Sequence, residues 1–236
     1  IVLQPGVTYV GPFTLKTKTG NGWITIRSGS TSLPIAGVRV RPSDAAKLPK
    51  LIAASSASPV IQTQAGAYNY RLVGIEISTA ATASTAGTLV ALGTSTQTSL
   101  AQMPRNLVLD RVYVHGTAML GFQRCIALNS GATAIVDSWI SDCHGKGFDS
   151  QAIGGWNGSG PYKIVNNYLE GAGENVMFGG SDPQISGVVP SDIEFRRNYV
   201  VKPASWQGVW SVKNNLELKL GVRVLVEGNI FENNWV

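Results

Sequence analysis

Charge is scarce in this chain. Only 14% of its 236 residues are Asp, Glu, Lys or Arg, and the basic ones are scattered. The net charge of +5 therefore forms no Lys/Arg block for a nucleic acid, although it suits some other anionic partner. Cysteine is nearly missing. Cys125 and Cys143 are too few for a disulfide framework or a zinc site, and their spacing leaves bonded and free states both open. No apolar run is long enough to cross a membrane, so membrane insertion is not expected. No signal peptide is visible, but the chain opens in mid-strand at Ile1, which leaves a removed leader open. GxSxG, HExxH and a P-loop are all absent, so serine-esterase, zincin and NTPase chemistries have no support. His115 and His144, without a matching nucleophile, read as surface residues of turns.

What the chain does have is a repeat. Its 27 glycines, with many Thr, Ser and Asn, suit short strands and tight turns. Five segments share a pattern in which a polar residue is followed two positions later by an apolar one: LVLDRVYV, IVDSWIS, IVNNYLE, FRRNYVV and LVEGNIFE. Superposed, they align Asp110, Ser138, Asn167, Asn198 and Asn229, then Val112, Ile140, Leu169, Val200 and Phe231. A period of about 30 residues, each holding several short strands, marks a solenoid.

Each unit divides into three strands, such as ENVMF, DIEFR and YVV, then LELKL, VRVLVE and IFE. Earlier copies are DSQAI, YKIV, YLE and CIAL, TAIV, WIS, with weaker ones in TLVAL, NLVL, VYV and PVIQ, YRLV, IEI. The fold expected is all-β: one right-handed parallel β-helix over residues 1–236, with about six coils of three short strands. Stacked Asn amides at one corner would bond from coil to coil, and Asn tolerates a left-handed bend. A β-sandwich is the alternative, but no Asn-Gly turn here joins two matching strands. No helix precedes Ile1 and the last coil stops at Val236, so the chain reads as part of a longer protein or of an assembly.

The corners NNYLE, RNYVV and GNIFE, and the opening IVLQPGVTYVG, resemble the pectin-lyase-like superfamily of polysaccharide lyases and glycosidases. The resemblance covers nearly the whole chain and is specific for fold, since the scaffold hosts many activities. It implies a polysaccharide or oligosaccharide partner, possible oligomers, a secreted or cell-surface setting, and a substrate lying along the first sheet.

On that sheet, alternation points Asn175, Met177, Glu217 and Lys219 outward over inward Leu216, Leu218 and Leu220, while the parity of Asp149 and Gln151 stays open. Glu170, Glu174, Asn175 and Asp182 lie in one Gly-rich coil, an oxygen-rich set for Ca²⁺. Trp206, Trp210 and Lys213 are expected beside the same face as a sugar wall, with Trp156 as a second. LELKLGVRVLVEGNIF is similar in layout to the corresponding strand of alginate-lyase and chondroitinase-B type β-helices. This likeness implies β-elimination on an acidic polysaccharide, with Lys219 as base and Glu174, Asn175 and Glu217 as metal or substrate ligands. No Arg falls at an evident acid position on a neighbouring first strand. A hydrolase with paired carboxylates (Asp149, Glu174, Glu217) and a non-catalytic glycan-binding module are the other readings. On the third sheet, Trp139, Tyr168, Tyr199 and Ile230 are expected to form an outward column that a loop or a neighbouring chain partly covers.

Overall fold

A computed structural model describes residues 1–53, 59–80 and 87–235. Its strands wind into three parallel sheets, so the chain is a parallel β-helix and not a sandwich. The second sheet has eight strands, Val2–Leu3 to Val222–Glu227; the third has eight, Thr8–Gly11 to Ile230–Glu232; the first has seven, Phe13–Leu15 to Leu216–Leu218. Seven coils are complete and an eighth supplies two strands, more than the six expected. The added strands, including Ile24–Ser28 and Lys50–Ala53, escape the repeat because a 21-residue insertion, 29–49, separates them.

Alternate strand residues fill the interior and stack on their equivalents. Leu109, Ile135, Ile164 and Phe195 lie in register on the second sheet, and Ile126, Ile153 and Val176 on the first. All are buried, each such side chain contributing about 1.5–3 kcal/mol.

Between the second and third sheets the chain turns through one left-handed residue per coil: Arg111, Asp137, Asn166, Arg197 and Gly228. The residue after it points inward. Asn167 and Asn198 donate through the backbone N–H and Nδ2 to Oδ1 of the next Asn, at 2.9–3.1 Å. Each Nδ2 also reaches a carbonyl one coil below, Ile135 or Ile164. Ser138 continues the ladder by donating its N–H to Asn167 Oδ1 at 3.0 Å.

Two details differ from the sequence reading. The left-handed residue precedes the ladder Asn instead of being it. Asp110 is not in the ladder: it pairs in register with Val136, which places Val112 beneath Ser138 and Val114 beside Ile140. An apolar residue fills the slot in that coil, and the Asp110 carboxylate sits outside it, bound by Arg71 and Arg111.

The insertion lies along this corner as an arm. Gly37 N–H donates to Asp137 Oδ2 at 2.7 Å, Arg39 to the Asn166 carbonyl, and Arg111 to the Pro34 carbonyl. Arg39 and Arg41 border the column of Trp139, Tyr168 and Tyr199, so the loop expected over these rings is this arm.

Candidate functional site

Three consecutive strands of the first sheet, Arg124–Leu128, Gln151–Gly155 and Glu174–Phe178, place Arg124, Gln151 and Glu174 in one register column. Gln151 and Glu174 are buried, and Gln151 Nε2 donates to Glu174 Oε2 at 2.7 Å. Gln151 Oε1 and Arg124 Nε have no hydrogen-bond partner. Buried polar atoms left in this way are costly. The Arg124 guanidinium lies 4.8 Å from the centre of the Trp156 ring. Gly154 leaves room for it, since a Cβ there would come within 3.3 Å of Arg124 Nε.

Around this column lie ion pairs from neighbouring loops and coils. Lys213 Nζ is 2.6 Å from Asp149, and Lys219 Nζ is 3.2 Å from Glu217, both lysines half exposed. Burial, with the Asp149 and Glu217 carboxylates, holds the Glu174 carboxyl above the usual range despite the Gln151 hydrogen bond. Lys219 borders a shallow depression of about 450 Å³ with Gly180, Ser181 and Asp182.

The structure thus brings Asp149, Gln151, Glu174, Lys213, Glu217 and Lys219 to one side of the solenoid. It does not do so for Asn175, which the alternation placed outward. Asn175 is fully buried, and its Nδ2 donates to the carbonyls of Leu169 and Val201 at 2.7 and 2.8 Å. Glu217 stacks over Met177 instead. The strand reaches the face through a corner at which successive residues 175 and 176 both turn inward, so strict alternation fails there.

Asn175 Oδ1 is occupied as well. It accepts from Lys202, a fully buried lysine whose ammonium also donates to the carbonyls of Gly171, Ala172 and Gly173. Burial lowers this lysine to about 7, against the opposing pull of Glu174. The ammonium fills an oxygen cage at the point where a cation was expected. Among the described residues, no three acidic, His or Cys side chains converge as a ligand set, and the Asn175 amide oxygen is taken by Lys202.

Trp206 and Trp210 also lie elsewhere. They wall a cleft of about 680 Å³ over the third sheet, with Tyr113, Trp139, Asp142 and Glu170 among its lining residues. His144 is no surface residue: it is fully buried, stacked on Trp210 at 3.9 Å and edge-on to Trp206. His115 is partly buried, with Nε2 3.0 Å from Glu76. Cys125 and Cys143 are bonded to each other, joining the first-sheet and third-sheet strands of one coil.

Sequence reasoning missed Arg124, because no first-strand Arg was visible until register set RCIAL beside QAIGG. It also missed Lys202, whose position after a YVV strand carries no signal of burial.

No protein-family model matches this chain, and no curated protein matches its sequence. Among solved structures it is similar to an alginate lyase from Paenibacillus sp. str. FPU-7, at 13% identity and a TM-score of 0.46, covering 98% of this chain and 90% of that one.

Proposed function

We propose that the first-sheet face binds an acidic polysaccharide and cleaves it by β-elimination. The observation that carries this reading is the Arg124–Gln151–Glu174 column, with unpartnered Nε and Oε1 atoms and a carboxyl whose proton affinity is raised by burial and by the neighbouring carboxylates. Elimination from a uronate needs its carboxylate neutralised, the C5 proton removed and the leaving oxygen protonated. Arg124 and Lys213 supply cationic groups for the carboxylate. Glu174, whose proton affinity burial raises, is the acid for the leaving oxygen, and Lys219, at the edge of its depression, is the base. Gln151 orients Glu174 through its amide. The Cys125–Cys143 bond accords with an oxidising, extracellular or cell-surface setting.

The test is absorbance of the unsaturated uronate formed from a panel of polyuronates, with and without Ca²⁺. The calcium arm reads any contribution of Glu174 and Glu217 to a cation site. Lys219→Ala and Glu174→Gln are each expected to lower turnover by about 10²–10⁴-fold while the protein stays folded. Wild-type turnover in Lys219→Ala would remove the base assignment, and no product from any polyuronate would remove the lyase reading.

A further inference from the structure

A cleft lies away from the first-sheet face, over the third sheet. Its volume, about 680 Å³, falls in the range of small-molecule sites, about 300–1,000 Å³. Tyr113 and Trp139 form its floor, in register on adjacent third-sheet strands. Trp139 is held in place by stacking on Tyr168, with centroids 3.7 Å apart. The walls are Trp206 and Trp210, carried by the turn Ala204–Trp206 and the residues after it.

Trp210 is backed by the buried His144 ring at an interplanar angle of 18°. Both His144 nitrogens lack partners, and burial lowers its proton affinity, so it serves as a neutral aromatic support. The polar groups of the cleft are equally fixed. Glu170 accepts from the Tyr168 hydroxyl and, at 3.2 Å, from the Asp142 N–H.

Aromatic planes held rigid beside carboxyl groups match the two faces of a sugar: C–H bonds pack on the rings and hydroxyls donate to the carboxyls. Asp142 and Glu170, with Lys146 as the cation among the lining residues, disfavour a second carboxylate. We propose that this cleft is a second carbohydrate site, built for a neutral oligosaccharide and separate from the first-sheet face.

Titration calorimetry with neutral hexasaccharides of glucose, mannose, galactose and xylose, and with a hexauronate, tests this directly. At least one neutral hexasaccharide is expected to bind, weakened about tenfold or more by Trp210→Ala. Because Trp210 also packs on His144, Ala118→Trp provides the second variant. Ala118 is exposed at the cleft, so a bulky ring fills the space without entering the core, and binding should fall likewise. Arg124→Ala should leave neutral binding unchanged, and Ala118→Trp should leave elimination unchanged, which separates this site from the lyase reading. The proposal is overturned if no neutral hexasaccharide binds, if both cleft variants bind as wild type, or if the hexauronate competes for the cleft.

Discussion

Glu174 is 1% exposed, yet it faces Asp149 and Glu217 and keeps one strong partner, the Gln151 amide. Burial and the two like charges favour the neutral carboxyl over the carboxylate, so its native pKa lies above the ordinary 4.5. The linkage follows in sign. Between 4.5 and the raised native value the folded state holds a proton that the unfolded chain has released, so stability falls as pH rises through that window. Glutamine has the shape of the protonated acid but cannot ionise. Glu174→Gln is therefore expected to match wild type in urea near pH 4 and to exceed it at pH 8. Equal pH profiles for the two proteins would show that the carboxyl is ionised in the fold without penalty. Lys202 meets a related demand in another way. Its charge is buried, but four oxygens surround it, so the turn Gly171–Gly173 that leads into Glu174 is pinned from beneath.

At the scale of the element, the corner between the second and third sheets shows how a side chain replaces a missing backbone partner. The bend interrupts the sheet ladder, and the Asn column supplies donors and acceptors from coil to coil. Asn198→Leu leaves the Asn167 N–H without its buried partner and takes one of two bonds from Asn167 Nδ2 and from Asn229 Oδ1. A loss of about 1–3 kcal/mol in urea denaturation is expected; an unchanged midpoint would mean that water serves the corner equally well. This ladder was legible in the sequence, because each Asn recurs beside an apolar strand at a fixed period. The next level down was not. In the coil holding Asp110 the ladder slot is apolar, and pattern matching chose the nearest polar residue, two positions early. The arm 29–49 was invisible for the opposite reason, since it follows no period and its contacts at Asp137 and Asn166 lie about 100 to 130 residues away. The candidate site divides along the same line. Glu217, on a regular strand, lies outward as alternation expects, and the parity of Gln151 was open, whereas Asn175, at an irregular corner, and Trp206 and Trp210, in a loop, lie elsewhere than expected.

Over the whole molecule, each coil contacts chiefly its two neighbours, so stability is close to a sum of coil and interface terms. A covalent link within one coil then acts on one unit in the middle of the stack. Cys125 and Cys143 are 18 residues apart in sequence and sit within the apolar interior. Closing a loop of that length restricts the unfolded chain by about 3 kcal/mol. The Cys125→Ala, Cys143→Ala double variant is expected to lose an amount of that order in urea, less whatever the interior regains by holding two small apolar groups. Since the link closes the coil that begins with the Arg124 strand, loosening it should also show in hydrogen exchange at Arg124–Leu128 before it shows at Ser191–Arg196, two coils further along. Uniform acceleration across all coils would instead mean that the solenoid unfolds as one cooperative body and that the bond stabilises it globally.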